Sequence, residues 1–478
     1  MKKYHTPCKF LILVFFFTLF IQAYSNNYTV VNTLNSGNGS LREAITNANS
    51  HAGADTVAFN IPATDAGYNS ATGTWTITLI SLLPYLADMT GGLIFIDGNT
   101  QTINQGDSNI YGPEIIIHSN TSLYFCFALA SPNSTIRSLI INGFANAVVF
   151  SNSTCINSTL RDMFIGTNFD GSLAIPNSIG VIINNGASAN NILNCLISGN
   201  TDYGIAISGA NSNNIKGNKI GSDLTGLKKL SNQYGVVIDT SKNNVIGGTT
   251  TQDLNLISGN LVAGIVINGT TSSGNQIKGN YIGTDINGTD SLPNASGIIL
   301  AGANNTTIGG NTAGARNIIS GNYQAGIVMN GSGTRLNSVK GNYIGTNKDG
   351  DNFISNHTGL ILKSNSNKNI IGGTSVGERN IISGNIEIGV YIEASDSNTV
   401  QGNYLGPDVS GNNTFMMGDS ALQGNGIELN TVSKYNTIGG TTAAERNVIS
   451  GNRVYGLIYY GNSSYNNTSG NYIGVNAG

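Results

Sequence analysis

Charged side chains are scarce in this chain. Only 10% of its 478 residues are Asp, Glu, Lys or Arg, and the formal net charge is -3. Nucleic-acid binding depends on a strong basic field, and this charge balance does not supply one. The composition therefore argues against a nucleic-acid partner.

Cysteine, proline and tryptophan are also rare, with 4, 8 and 1 residues. Cys8, Cys126, Cys155 and Cys195 are too few and too scattered for a disulfide framework or a CxxC metal site. The hydrophobic fraction of 39% is nevertheless sufficient for an extensive core. Disorder is therefore not expected.

Long hydrophobic runs are missing after residue 21. The apolar run from Phe10 to Ile21 follows Lys2, Lys3 and Lys9 and precedes the small residues around Ser25, which is the pattern of a signal peptide. It is shorter than the roughly 20 apolar residues that cross a bilayer. We predict that residues 1–25 are removed, that the mature chain is secreted or held in the cell envelope, and that no transmembrane segment remains.

The abundant residues are Gly, with 63 copies, and Asn, and both occur in repeated motifs. Two motifs recur at intervals of 60 to 68 residues. A third pattern, Gly followed by alternating apolar residues, recurs about every 30 residues. The motif ISGN ends at Asn200, Asn260, Asn322, Asn385 and Asn452, and GN-x-x-G ends at Gly221, Gly283, Gly345, Gly406 and Gly474. The 62-residue period is thus two units of alternating type.

Each unit of about 30 residues contains three short stretches of β-branched residues, separated by Gly, Asn, Asp or Ser. Three strands per unit predict an all-β solenoid, a parallel β-helix. In a stretch such as Ile265 to Ile267, two side chains should point into the bore and one outward. Asn residues at equivalent corners should stack and hydrogen-bond along the column.

The segment before the regular units contains the only convincing helix, from Ser40 to Asn49. Ser40 and Glu43 match a capping box. Leu41, Ala44, Ile45 and Ala48 form an apolar stripe at helical spacing. We expect this helix to cap the open end of the solenoid, where strand edges and bore residues would otherwise be exposed.

Three motifs in this region resemble the SLREAI-type (CSLREA) N-terminal domain of bacterial secreted proteins: SLREAI from Ser40, DTVAFNIP from Asp55 and LPYLADMTGGLIFIDGNTQ from Leu83. The ISGN and IGT repeats that follow resemble right-handed parallel β-helix regions. The resemblance implies an extracellular or envelope location and no particular reaction. Gly39 stands where that family often has Cys, so no thiol function is carried over.

The resemblance and the repeats together give the expected domain organisation. Residues 1–25 form the signal peptide, 26–110 the SLREAI-type cap and first irregular coils, and 111–478 the β-helix repeats. The last repeat stops in the middle of a coil, so we expect the C-terminal end to be uncapped within this sequence. Further domains or a partner would cover it.

No catalytic arrangement is recognisable. The Asp pair and GHG segment of polygalacturonan hydrolases are absent, and the His residues share no metal-like spacing. Asp223, Asp285 and Asp408 recur at one turn position, which Asn347 takes in the intervening copy. Successive copies are two coils apart, about 10 Å, so these residues cannot share one ion. We interpret them as turn residues, with isolated weak Ca²⁺ sites as the alternative, and expect no cofactor.

Two columns remain as candidates for surface contact. Arg316, Arg379 and Arg446 precede the NIISGN or NVISGN motifs, and Tyr281, Tyr343 and Tyr404 begin the YIG or YLG motifs. The arginines either form local ion pairs at a solvated corner or contact an acidic glycan. The tyrosines either shield a corner from water or stack on sugar rings.

The leading hypothesis is a secreted or cell-surface, non-catalytic protein that adheres to or contacts extracellular polysaccharide or cell-surface glycan. The alternative is a polysaccharide lyase, epimerase or hydrolase of the same fold, which requires a groove where acidic and basic side chains converge. A further alternative is an architectural spacer within a larger surface protein. Composition and repeats leave all three open.

Overall fold

Three long parallel sheets wind around a common bore in the computed structural model, which describes residues 25–88 and 92–478. From the strand Ile94–Asp97 onward, the chain passes from sheet 1 to sheet 2 to sheet 3 in each complete coil, and these strands pair in parallel with their equivalents in the next coil. The chain is a right-handed parallel β-helix. The predicted signal peptide lies outside the described residues, apart from Ser25.

Sheet 1 contains the strands that follow the turn closing each coil. They are Asn27–Val30, Asp55–Phe59, Ile94–Asp97, Thr135–Arg137, Thr159–Arg161, Asn191–Leu193, Asn214–Lys216, Val245–Gly247, Gln276–Lys278, Thr307–Gly309, Ser338–Lys340, Ile370–Gly372, Thr399–Gln401, Thr437–Gly439 and Asn467–Ser469.

Sheet 2 contains shorter strands, and its first two pair antiparallel. They are Tyr68–Asn69, Thr74–Thr78, Ile115–His118, Ile140–Asn142, Phe164–Ile165, Leu196–Ile197, Lys219–Ile220, Leu256–Ile257, Tyr281–Ile282, Ile318–Ile319, Tyr343–Ile344, Ile381–Ile382, Tyr404–Leu405, Val448–Ile449 and Tyr472–Ile473.

Sheet 3 begins later in the chain and has the longest strands. They are Phe125–Leu129, Asn146–Phe150, Ile179–Asn184, Tyr203–Ser208, Tyr234–Asp239, Ala263–Asn268, Ser296–Ala301, Ala325–Asn330, Thr358–Lys363, Ile388–Glu393, Asn425–Asn430 and Leu457–Tyr459. Outside the three sheets, Met416–Met417 and Ser420–Ala421 form a small antiparallel ribbon.

The helices are short. Within residues 25–88 and 92–478, two are α-helices, Leu41–Ser50 and Asn99–Gln105, and the second was not predicted from the sequence. The 3-10 helices of the same ranges are Thr251–Asp253, Ala313–Ala315, Val376–Glu378 and Ala443–Glu445. None of the described helices is long and apolar enough to cross a membrane.

The N-terminal helix caps the bore as expected. Leu41, Ala44, Ile45 and Ala48 are all buried, and they join the same apolar cluster as the bore residues. The Ser40 hydroxyl accepts a hydrogen bond from the backbone N–H of Glu43, but the Glu43 carboxylate accepts from Gly39 N–H at 2.6 Å rather than from Ser40. Half of the predicted capping box is therefore present, and the Glu43 carboxylate binds the backbone one residue earlier than predicted.

The bore is filled by aliphatic side chains in continuous columns. Ile265 and Ile267 are fully buried while Val266 points outward, as the alternation predicts. Cys155 and Cys195 also lie in this core as free thiols. Burial raises the pKa of each to about 12, so both are unreactive at neutral pH.

Asn side chains line the corners as three buried ladders, each named after the two sheets it lies between. In each rung the side-chain oxygen accepts from the Asn of the preceding coil, and the amide donates to the next Asn. Ladder 1–2 runs from Asn218 through Asn255, Asn280, Asn317, Asn342, Asn380, Asn403 and Asn447 to Asn471. Ladder 2–3 includes Asn177, Asn200, Asn232, Asn260, Asn294, Asn322, Asn356, Asn385, Gln423 and Asn452. Ladder 3–1 includes Asn190, Asn213, Asn244, Asn275, Asn337, Asn369, Asn398, Asn436 and Asn466.

Asn317 illustrates what one rung contributes. Its oxygen accepts from the backbone and side-chain nitrogens of Asn280, both at 3.0 Å. Its amide donates at 2.9 Å to the oxygen of Ile277 and at 2.9 Å to the side-chain oxygen of Asn342. Both atoms of the amide are thus used twice, which explains why Asn was expected at these corners.

We predict that Asn317→Ala lowers the free energy of unfolding by at least about 3 kcal/mol, because it leaves several buried backbone and amide groups without partners. Urea unfolding followed by circular dichroism measures the change. Asn311→Ala is the matched control, since Asn311 is exposed in the same loop and its side chain makes no hydrogen bond with the described residues. Equal destabilisation by the two variants would contradict the ladder interpretation.

Ladder 3–1 has one interruption, at Thr306. Its backbone N–H donates to the side-chain oxygen of Asn337 at 2.8 Å, but its buried hydroxyl has no hydrogen-bond partner among the described residues. An Asn at this position would connect Asn275 with Asn337. Thr306 is therefore a position where a substitution should increase stability.

We predict that Thr306→Asn raises the free energy of unfolding by about 1–2 kcal/mol, because it adds amide hydrogen bonds in both directions and removes an unpaired hydroxyl. Thermal and urea unfolding both measure the gain. Thr306→Val removes the hydroxyl without supplying an amide, so its gain should be smaller. A loss of stability in Thr306→Asn would contradict the prediction.

Candidate ligand-binding groove on sheet 2

Two stacks of loops border the outer face of sheet 2. The hairpin loops, between sheets 2 and 3, are residues 166–178, 221–233, 283–295, 345–357 and 406–424. The 3-10 loops, between sheets 1 and 2, are residues 248–255, 310–317, 373–380 and 440–447. We call the strip of sheet 2 between these two loop stacks the groove; its pocket lies beside Tyr281.

The hairpin loops contact one another although two coils separate their strands. Backbone N–H groups of Leu224, Ile286, Lys348 and Val409 donate to the oxygens of Gly171, Gly226, Gly288 and Gly350 at 3.0–3.1 Å. This stacking forms one continuous wall of the groove.

The recurrent Asp residues stabilise the turns of this wall. Asp223 accepts hydrogen bonds from the hydroxyl of Thr225 and the backbone N–H of Lys228, and Asp285 accepts from Thr289 N–H and Asp290 N–H. Their turn interpretation matches this geometry. The described residues contain no group of three or more His, Cys, Asp or Glu side chains that could hold a metal ion.

The 3-10 loops form the opposite wall, and the residue that ends each short helix points over sheet 2. These residues are Leu254, Arg316, Arg379 and Arg446. Each arginine lies over the tyrosine of the following coil. The guanidinium carbon is 4.0 Å from the ring centre of Tyr343, 4.1 Å from that of Tyr404 and 4.0 Å from that of Tyr472, respectively.

Two pairs of candidates, Arg316 with Tyr343 and Arg379 with Tyr404, thus form cation–π contacts, whereas Arg446 pairs with Tyr472. The local ion pairs expected for the arginines are not found among the described residues. Glu378 instead pairs with Lys340 at 2.9 Å, and Glu445 accepts from the hydroxyl of Thr442. Both carboxylates accept hydrogen bonds at the start of their own 3-10 helices, whereas the arginines extend over the sheet.

The tyrosines differ in exposure. Tyr343 and Tyr404 are only 5% and 8% exposed, packed with Ile318, Ile381 and Val448 beneath the hairpin loops. Burial raises the pKa of Tyr343, and nearby Arg316 partly offsets this shift. Neither ring has a free face, so stacking of a sugar on these two rings does not fit the structure. That any of the six candidates contacts a ligand stays a prediction.

Tyr281 has no arginine over its ring, because Leu254 occupies the position that is equivalent to Arg316 in this copy of the 3-10 loop. A pocket of about 180 Å³ opens there, lined by Tyr281, Leu254, Arg316, Lys348 and the threonines at 249–251. Of the described residues that line it, none is Asp or Glu. The buried Nε of Arg316 has no hydrogen-bond partner among the described residues.

Lys348 was not singled out in the sequence. It belongs to a hairpin loop two coils after Tyr281, and loop stacking brings it to the pocket. Its ammonium group lies 2.8 Å from Asp349, and this contact raises the pKa of the lysine. The sequence predicts only that Lys348 lies in the TNKDG turn. It does not predict that this hairpin loop stacks on the loop of Gly288.

Comparison with known proteins gives no family. No family model and no curated protein matches the chain. Among solved structures, the Dettilon tailspike protein is 16% identical, with a TM-score of 0.46, over 88% of this chain and 64% of the tailspike. The periplasmic alginate epimerase AlgG is 14% identical, with a TM-score of 0.45, over 87% of this chain and 81% of its own.

The A-module of the Azotobacter vinelandii mannuronan C-5 epimerase AlgE6 is 11% identical, with a TM-score of 0.42, over 93% of this chain and 98% of its own. All of these neighbours are distant. The fold assignment rests on the strand register described above. The resemblance of the N-terminal region to the SLREAI-type domain stays a prediction, as do the domain boundaries.

We predict that Arg379→Ala exposes Tyr404 and increases its rate of nitration by tetranitromethane, because the guanidinium covers one ring face. Peptide mass spectrometry measures the modification. The variant should also lose roughly 0.5–1 kcal/mol of stability from the cation–π contact. Arg335→Ala is the control, since Arg335 is exposed at the corner between sheets 3 and 1. Unchanged Tyr404 reactivity would contradict the pairing.

Proposed function

We propose that this protein is secreted or held in the cell envelope, and that it binds an acidic extracellular polysaccharide in the groove on sheet 2 without chemically changing it. The observation that carries the proposal is the pocket at Tyr281. There Arg316 and Lys348 approach an aromatic side chain, and no acidic residue lines the space. A carboxylate-bearing sugar matches both the cations and the ring.

The repetition of the arginines supports a polymer rather than a small ligand. Arg316, Arg379 and Arg446 recur every second coil, so neighbouring guanidinium groups are spaced by about 10 Å along the groove. This spacing is comparable with the length of a disaccharide in an extended chain. A polysaccharide with a carboxylate on alternate sugars would therefore meet one arginine after another.

The cation–π pairs give these arginines a further advantage as ligands. Each guanidinium is held over a ring, so less side-chain freedom is lost when a carboxylate binds. The planar guanidinium can also offer two N–H groups to one carboxylate. Preorganisation of this kind favours binding over a purely structural use of the arginines.

The test compares polygalacturonate with its methyl-esterified form, which has the same backbone but no carboxylate charge. Isothermal titration should detect binding of the charged polymer, and binding should weaken as salt is raised. We predict that the variant with Arg316→Gln, Arg379→Gln and Arg446→Gln binds at least about tenfold more weakly, a loss of about 1.4 kcal/mol.

Arg335→Gln is the matched control, because it removes one arginine outside the groove. Alginate and other acidic glycans are tested in parallel. Equal binding of charged and esterified polymer, or full binding by the triple variant, would exclude the groove as an acidic-glycan site. Chain shortening, unsaturated ends or epimerised sugars after incubation would instead establish the enzymatic alternative.

A further inference from the structure

The outer faces of the three sheets differ in composition. On sheet 1 the outward residues are mostly Thr, Asn, Ser, Gln or a paired Lys. On sheet 2 they are mostly apolar, with Lys219 as an exception, and the loop stacks pack against them. Sheet 3 has an apolar outer column too, and several of its side chains remain partly exposed.

This column is the apolar stripe: Val237, Val266, Ile299, Val328 and Ile361, one residue from each of five successive strands. Strand register places them directly beside one another. Val266 is buried, and the other four side chains remain partly exposed. The equivalent apolar residues on sheet 2 are buried instead. A long exposed apolar stripe on a regular sheet indicates a contact surface.

We propose that the apolar stripe is the interface of a homodimer, in which a second copy packs face to face on sheet 3 with its solenoid axis antiparallel. The two-fold axis passes through Ile299, perpendicular to the solenoid axis. Each strand position then meets the same position on the partner, with the coil order reversed. Val237 therefore faces Ile361, and Val266 faces Val328.

Charge complementarity selects this arrangement. Asp239 and Lys363 occupy equivalent positions at the ends of their strands, two strands before and two strands after the strand of Ile299. Neither makes an ion pair with another described residue, although Glu393 lies beside Lys363 on the next strand of the same copy. In the antiparallel dimer each Asp239 faces Lys363 of the other copy, which gives two intermolecular ion pairs. In a parallel dimer, neither Asp239 nor Lys363 would face a residue of the opposite charge.

Side-chain size is complementary in the same register. The next residues of the column are Ala206 at one end and Tyr391 at the other. The reversed order places the small side chain opposite the large one. At the two-fold axis itself, Ala301 faces its own copy, which allows close approach. Beyond Tyr391 the column continues with Glu428, and beyond Ala206 it continues with Ile182, Val149 and Ala128, so the proposed contact uses the seven strands between Ile182 and Glu428.

The area is adequate for a specific dimer. Seven strands of six residues, from Tyr203–Ser208 to Ile388–Glu393, form the contact surface. At strand spacings of about 4.8 Å and rises of about 3.3 Å per residue, this surface covers roughly 670 Å² on each copy. The total of about 1,300 Å² lies within the range of specific interfaces.

The experiment measures the mass of the purified protein by sedimentation equilibrium over a concentration series. We expect a dimer. Ile299→Lys places two like charges at the axis and should raise the dimer Kd by at least about tenfold. Thr307→Lys, on the outer face of sheet 1, is the control and should leave the dimer unchanged. Circular dichroism verifies that both variants are folded.

The charge-swap variants test the register independently of Ile299. Asp239→Lys and Lys363→Asp should each weaken the dimer, and the double variant should restore it. A monomer at all concentrations, a dimer unaffected by Ile299→Lys, or a double variant weaker than both single variants would each overturn the proposal.

Discussion

The structure depends on one constraint: every turn of the solenoid must change direction at three corners, and the backbone groups buried there need hydrogen-bond partners. Strand ladders satisfy only the groups within the sheets. Asn is suited to the corners because its oxygen and amide can accept from the preceding coil and donate to the next. The ladders thus continue the hydrogen bonding of the sheets through the corners.

The same constraint explains the composition. The residue before each rung of ladders 1–2 and 2–3 is commonly Gly with a positive φ, for example 66° at Gly279 and 78° at Gly321. That conformation turns the backbone so that the following Asn points inward. Ladder 3–1 is less strict, since Ser212, Leu336 and Lys368 also adopt positive φ there. The GN motifs of the sequence are therefore structural, and the low charge follows because amides perform the polar role.

Much of this could be predicted from the sequence because it is local or periodic. The coil length, the three strands, the inward pair around Val266 and the apolar face of the N-terminal helix each follow from spacing alone. The interruption at Thr306 is also visible once the Asn register is known. The second helix, Asn99–Gln105, was missed because it has no apolar stripe, with only Gln101 buried.

The groove was not predictable in the same way, because its residues meet through loops of unequal length. Arg379 and Tyr404 are 25 residues apart, and no periodic rule states that one covers the other. Lys348 reaches Tyr281 only because hairpin loops stack across two coils, a contact between backbone groups that leaves no side-chain pattern in the sequence.

The distribution of charge nevertheless connects the two surfaces. In a chain with so few ionic groups, the carboxylates of Glu378 and Glu445 serve their own turns, and Lys340 is paired with the first of them. The arginines of the groove are instead held against rings, with no acidic partner among the described residues. Asp239 and Lys363 likewise form no ion pair with a described residue, and both are partly exposed on the outer face of sheet 3. Charged side chains without an ion pair among the described residues thus occur on both surfaces, for example Arg316 in the groove and Asp239 beside the stripe, whereas Lys348 of the groove is paired with Asp349. Because a face-to-face dimer covers only sheet 3, it would leave both grooves open to a polysaccharide.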